Sequence, residues 1–327
     1  MALNIIPLEA NQPSFAGFPP CGDLDSLDAD VAAIGIPYRA PHEISIPEDQ
    51  EAVPETGTVA DAPTVLRRHS LRYEHSMYNY DFEFGGQLLA GRDIRVVDCG
   101  DLIQVPGAHQ SNLETITTAI WQILERGAVP IIFGGDHGTP IPVLRVYKDR
   151  GPFCVVQIDA HLDFIDERNG IKESYSSVGR RAAEMSWVSG LYQIGLRGVG
   201  SARQEEFDAA TSLGSVMVRA EEVHRQGIDT VLTRLPEAQQ YYITICADGL
   251  DPSIAPGVHY PEPGGLSYFE LVDLFRGIGR RGKIIGYDFT SWVPGLDVRN
   301  FTAIFASRLA LNVIGVMAHE GQIGRSR

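Results

Sequence analysis

The chain is short of basic residues, holds few cysteines and shows no internal repeat or low-complexity tract. Its 27 Lys and Arg face 42 Asp and Glu, a net charge of -15. That balance disfavours chain-wide attraction to nucleic acid or to an anionic membrane, and it suits cationic partners. The four cysteines, Cys21, Cys99, Cys154 and Cys246, form no CxxC pair. Three of them sit in apolar or strand-like runs, as small buried hydrophobes do, so no disulfide framework is expected. No apolar run reads as a membrane helix, and the opening MALNIIPLEANQ lacks the basic lead and apolar core of a secretory signal. The cytoplasm is the expected location. What the chain does have is 44% hydrophobic and 21% charged residues over 327 positions, which excludes disorder, collagen and coiled coil and leaves a globular protein.

From about residue 30, β-branched runs alternate with longer helical patterns. Strands are expected at Val31 to Pro37, Ile94 to Cys99, Val129 to Phe133, Phe153 to Ile158, Leu191 to Leu196, Val216 to Val218, Tyr242 to Ala247 and Ile284 to Phe289. Their apolar character on both faces is that of buried parallel strands. Helices are expected over Ser111 to Arg126, opened by a Ser111/Glu114 capping box, over Ser267 to Arg276, opened by Ser267/Glu270, and over Asn300 to Val313. The alternation predicts an α/β fold with one mainly parallel sheet and helices on both faces. Residues 1–327 are read as one domain with an irregular N-terminal segment. An acidic, proline-containing stretch near 40–61 reads as a surface loop, or as a lid or subunit contact near the strand ends.

Three clusters of acids and histidines each follow directly on an expected strand: GGDHG (134–138), DAHLD (159–163) and DGLDP (248–252). In extended backbone, residues two apart face the same way, so Asp159, His161 and Asp163 project together. Alone, that pattern also has a lesser reading as a polar strand end that caps the next helix. With His137 and Asp248 added from two other strand ends, a metal cradle is the better reading, because a parallel sheet gathers such ends into one crevice. Mixed carboxylate and imidazole donors suit Mn²⁺, Ni²⁺, Fe²⁺ or Zn²⁺.

These blocks, with DGLDPSIAPGVHYPEPGGL, IGLRG at 194–198, GYDF at 286–289 and the closing FTAIFASRLALNVIG, resemble the signatures of the ureohydrolases, the arginase and agmatinase superfamily. The resemblance runs from about residue 30 to 315. It implies a three-layer α/β/α fold, a trimer or hexamer, and a binuclear metal centre, usually manganese. It also implies a reaction in which water activated by both metals attacks a guanidinium carbon and releases urea. By resemblance, one metal takes His137, Asp159 and Asp163, the other Asp159, His161 and Asp248, with Asp159 bridging.

The chain departs from that pattern at three places. The family's Asp-x-Asp before LDP reads here Cys246, Ala247, Asp248. Cys246 is either a soft ligand that favours Ni²⁺ or Zn²⁺ over Mn²⁺, or a buried thiol that ligates nothing. The family's proton-shuttling histidine after DAHLD aligns with Tyr175, whose phenol is a poor shuttle near neutral pH. The glutamate that binds the guanidinium aligns with Ser291, so a charge-assisted pair is missing there. Glu262 remains as a carboxylate for the substrate pocket. His259, where the family favours a small residue, reads as a substitute proton carrier or as a simple loop histidine, and Asp163 as a catalytic acid or base.

The expected substrate is a small cationic guanidino, amidino or biguanide compound, with Mn or Ni as cofactor. The three departures together favour a subunit with an impaired centre that works with an active paralogue, as in the nickel-dependent heteromeric metformin hydrolase of this superfamily. The alternative is a stand-alone agmatinase-like hydrolase. A metal-free binding module is disfavoured, because five ligands of the resemblance remain.

Overall fold

The computed structural model describes residues 5–8, 12–40, 57–237 and 239–324. The stretch expected as a loop or lid near 40–61 falls mostly outside the described residues. Nine strands form one sheet: β1 (Ile5–Ile6), β2 (Val31–Ile36), β3 (Val96–Leu102), β4 (Val129–Gly134), β5 (Phe153–Ile158), β6 (Val188–Leu196), β7 (Val216–Arg219), β8 (Gln239–Cys246) and β9 (Gly282–Thr290). Their order is β1-β3-β2-β4-β9-β8-β5-β6-β7. All pairings are parallel except that of β1 with β3.

Side chains alternate across the sheet and feed two cores. On β2, Val31 and Ala33 pack into one, Ala32 and Ile34 into the other. The first core is covered by α1 (Ala62–Ser70), α6 (Ala220–Gln226), α7 (Ile228–Leu232), α8 (Tyr268–Arg281) and α9 (Phe301–His319), through residues such as Leu66, Val223, Leu274 and Leu309. The second is covered by α2 (His109–Glu125), α3 (Pro140–Arg145), α4 (Val178–Glu184) and α5 (Gln204–Ser212), through Ile116, Val143, Ala182 and Ala210. This is the expected three-layer α/β/α arrangement, and the middle strands β2, β4 and β5 are buried along their whole length.

Two local expectations change and one holds. Helix α2 begins at His109, two residues before the expected capping box, so Ser111 lies inside the helix and Ala108 precedes it without a side-chain cap. The Ser267/Glu270 box does form and opens α8. Helix α9 is long and apolar enough to cross a membrane by length and composition, contrary to the absence read from the sequence. Here 78% of its apolar window is buried against the sheet and the neighbouring helices, the setting of a core helix.

Candidate metal centre

β4, β9, β8 and β5 lie side by side, so the loops after their C-terminal ends meet in one place. His137 follows β4, Asp159 follows β5, and Cys246 ends β8 two residues before Asp248. Glycine makes the close approaches possible: at Gly135 a Cβ would collide with the Tyr38 carbonyl, and at Gly249 it would stand 2.8 Å from the Asp159 nitrogen.

Two donor sets share Asp159. The ligand atoms of His137, Asp159 and Cys246 lie within 4.8 Å of one another, and so do those of Asp159, His161 and Asp248. The second set is the one expected. In the first, the structure groups Cys246 with His137 and Asp159, where Asp163 was expected. Asp163 has a left-handed backbone, φ 50°, and places its carboxylate 2.8 Å from His137 Nδ1. His137 Nδ1 is also 2.9 Å from Asp159, and His161 Nδ1 is 3.2 Å from Asp248.

Behind His137 runs a relay that sequence reasoning missed. The Thr244 hydroxyl donates its single proton to Asp288 Oδ1 at 2.7 Å, so at 3.1 Å its oxygen accepts from His137 Nε2–H. Burial opposes charge on His137, but its contacts with Asp159 and Asp163 raise the imidazole well above its usual value, so Nδ1 holds a proton toward those carboxylates. A cation bound there would displace that proton and take the Nδ1 lone pair, with Nε2–H kept on Thr244. Asp159 is supported in turn by Gln157 Nε2 at 3.0 Å, and Gln157 by Gln193 at 3.1 Å. Arg197, in the IGLRG block, donates to the main-chain carbonyls of Asp248 at 2.6 Å and Glu262 at 2.8 Å, pinning the DGLDP turn to the PEPGG segment. Thr244, Gln157 and Gln193 occupy apolar strands, where sequence reads them as core; only IGLRG and GYDF carried a signal for Arg197 and Asp288.

The electrostatics are those of a cluster with surplus anionic donors. Burial opposes charge on Asp159, but contacts with His137 and His161 hold it well below the usual carboxylate range. Burial and then the charge of Asp159 push Asp163 up to about 7 and raise Asp248. Burial would lower His161, yet its contacts with Asp159 and Asp248 raise it to about 11. Burial, then the charges of Asp159 and Asp248, push the Cys246 thiol well up. Protons thus crowd into the space between donors, where a divalent cation would replace them. The donor set fits such a cation: carboxylates, two imidazoles and one thiol converge, and the guanidinium nearby, Arg197, is committed to carbonyls.

The remaining site residues sit around this centre. Ser291 follows β9 with φ 63° and donates its N–H to the Gly135 carbonyl at 2.7 Å, beside the GGDHG turn. Tyr175 accepts from Arg168 at 2.6 Å, and its phenol is raised by burial, with the charges of Asp163 and Asp136 adding to the effect. Glu262 packs its carboxylate against Gly198. His259 is half-buried, lowered by burial and by Arg39; among the described residues no hydrogen bond joins it to the cluster.

Comparison with known proteins places the chain in a family. The arginase family matches residues 29–315. Agmatinase from Pyrococcus horikoshii is 28% identical over 298 residues, 90% of this chain and 94% of that one. Agmatinase from Salmonella paratyphi B is 30% identical over 264 residues, 78% and 80% of the two chains. The solved structure of proclavaminate amidino hydrolase from Streptomyces clavuligerus superposes with a TM-score of 0.80 at 24% identity, covering 95% of this chain and 98% of that one. The chain belongs to the arginase family of ureohydrolases.

Proposed function

We propose that this chain is a metal-dependent hydrolase that cleaves a C–N bond of a small guanidino or amidino compound and releases urea, as an agmatinase does. The observation that carries the reading is the pair of donor sets sharing Asp159, with the imidazole of His137 set by Thr244 to present Nδ1. Two divalent cations held there would supply Lewis acidity and would lower the pKa of a water enough for it to attack the guanidinium carbon near neutral pH. His137, Asp159 and Cys246 would hold one, and Asp159, His161 and Asp248 the other. The thiol in place of a carboxylate shifts the preference from Mn²⁺ toward Ni²⁺ or Zn²⁺. Asp163, whose carboxylate lies 2.8 Å from His137 Nδ1 beside the two donor sets, accepts a proton from the attacking water. His259, kept unprotonated by burial and by Arg39, takes up the proton released by the water and passes it to the leaving amine. Glu262 and Tyr175 line the approach of the cation, and Ser291 leaves that approach without a forked carboxylate.

A second reading is favoured by Ser291 and Tyr175 specifically. With neither the anchoring carboxylate nor the imidazole shuttle, the chain serves as a subunit of a trimeric or hexameric assembly with an active paralogue, on a guanidino or biguanide substrate. The test is the purified chain alone, assayed for bound metal and for urea release from agmatine, guanidinobutyrate and metformin, then mixed with candidate paralogues. Two metals per chain with turnover alone supports the first reading. Urea only in the mixture supports the second, and neither metal nor urea in any combination rejects both. Cys246→Asp is expected to raise Mn²⁺ occupancy; unchanged occupancy rejects the thiol as the determinant.

A further inference from the structure

Remote from the metal ligands, the segment before β2 docks on β3. Pro20 and Asp98 form a parallel bridge: the Asp98 N–H donates to the Pro19 carbonyl at 2.9 Å, and the Cys21 N–H to the Asp98 carbonyl at 2.7 Å. In that register the next residues along, Cys21 and Cys99, stand side by side with their Cβ atoms on one face. Adjacent parallel strands hold their Cα atoms about 4.8 Å apart, inside the span a disulfide accepts. The Cys21 thiol donates to the Asp23 carbonyl at 3.4 Å and lies close enough to the Cys99 thiol for the two to perturb each other's ionisation. Cys99 is 1% exposed, whereas Cys21 is partly open to solvent.

We propose that Cys21 and Cys99 are a reversible redox pair, with Cys21 the thiol attacked by peroxide or by a small-molecule disulfide and Cys99 the resolving thiol. The contact with Cys99 lowers the Cys21 thiol to about 6 against the opposing effect of burial, so its thiolate is present near neutral pH. With hydrogen peroxide, Cys21 thiolate attacks one peroxide oxygen, the O–O bond breaks, hydroxide leaves, and Cys21 becomes a sulfenic acid. The Cys99 sulfur then attacks the Cys21 sulfur, the S–O bond breaks, and water departs with the Cys99 proton. Two electrons pass from the thiols to the peroxide. With a disulfide oxidant the same pair forms through a mixed disulfide. The product fastens residues 12–27 covalently to β3, beside the Asp98 carboxylate that also accepts the Phe15 N–H at 2.6 Å.

The experiment exposes the full chain to hydrogen peroxide or to glutathione disulfide, blocks remaining thiols by alkylation, and digests with trypsin. The expected product joins the peptide ending at Arg39 to the peptide Val96 to Arg126, with loss of two hydrogens and reversal by reductant. The oxidised chain melts above the reduced one, and Cys21→Ser abolishes both the link and the shift. In Cys99→Ser, a sulfenic acid at Cys21 becomes trappable by dimedone. Cys21 that stays fully alkylatable after oxidation, or that reaches sulfinic acid while Cys99 remains free, overturns the proposal. Because Cys21 is the more exposed of the two, the Cys21→Ser result decides the matter even where Cys99→Ser fails to fold.

Discussion

Asp98 on β3 and Asp288 on β9 are both fully buried carboxylates of one sheet, yet their surroundings differ in kind. Asp98 is closed off by a cation. The Arg67 guanidinium grips it through Nε at 2.8 Å and Nη2 at 3.0 Å, the N–H groups of Phe15 and Gly100 complete its shell, and Arg67 also pairs with Asp101. Asp288 has the Thr244 hydroxyl on one oxygen; the Tyr242 hydroxyl interacts with the carboxylate, but among the described residues neither that hydroxyl nor the second oxygen makes a well-formed hydrogen bond. Burial raises it to about 6, with the charge of His137 partly offsetting. The first arrangement makes a lock, satisfied within the fold. The second leaves unspent hydrogen-bonding capacity behind His137, where the protein orients a ligand and where perturbed carboxyls gather.

The sharpest way to break the comparison is to remove the lock. Asp98→Ala leaves Arg67 buried without its main partner, and a loss of about 3–5 kcal/mol is expected in chemical denaturation. A loss under 1 kcal/mol would mean that Asp101 alone carries the guanidinium. Next in size is the relay: Thr244→Val strands His137 Nε2, and divalent-metal affinity in a competition titration is expected to fall about 10–100-fold with the fold retained by circular dichroism. Unchanged affinity would reduce Thr244 to packing.

A smaller effect is read in pH. The folded carboxyl of Asp288 titrates near 6, above the unfolded value of about 3.9, so the folded state binds the extra proton between them. Its contribution to the metal-free protein therefore falls as pH rises through that window and is level above it. Asp288→Asn is expected to flatten this slope relative to wild type in urea titrations, and parallel curves would refute it. Smallest is the surface counterpart, Glu270 paired with His224 at 2.9 Å while the other ring nitrogen donates to the Gly264 carbonyl at 3.1 Å. Burial lowers His224, but these contacts raise it overall. Its stabilisation is present below the unfolded imidazole value near 6.5 and is lost as pH rises through the raised folded value. Because the pair is exposed, His224→Gln should cost about 0.3–1 kcal/mol at acidic pH and less at alkaline pH.

The contrast also explains what the sequence disclosed. Strands β2 to β9 were legible, because runs such as CVVQI and YYITIC are apolar on both faces. The two-residue β1 was not, since Ile5–Ile6 is too short to show a period. The early start of α2 escaped notice because Ala108 and His109 carry no capping signal, whereas Ser111 and Glu114 do. At the site, the candidate ligands stand in dense polar blocks at strand ends and announce themselves. Their supports do not: Thr244 and Gln157 are single polar residues inside apolar strands, and the lock of Arg67 with Asp98 joins residues 31 apart whose pairing only the fold creates.

The left-handed turn at Ser291 has a consequence for how specificity changes in such a chain. A residue with a Cβ in that conformation costs about 1–2 kcal/mol, and here the turn is held by the N–H of Ser291 on Gly135. The backbone fixes the direction of whatever side chain stands at 291, independently of its chemistry. On the proposed function, substrate choice at this position is therefore a modular trait: one compact polar or acidic side chain can be exchanged for another by a single codon while the loop that aims it stays in place.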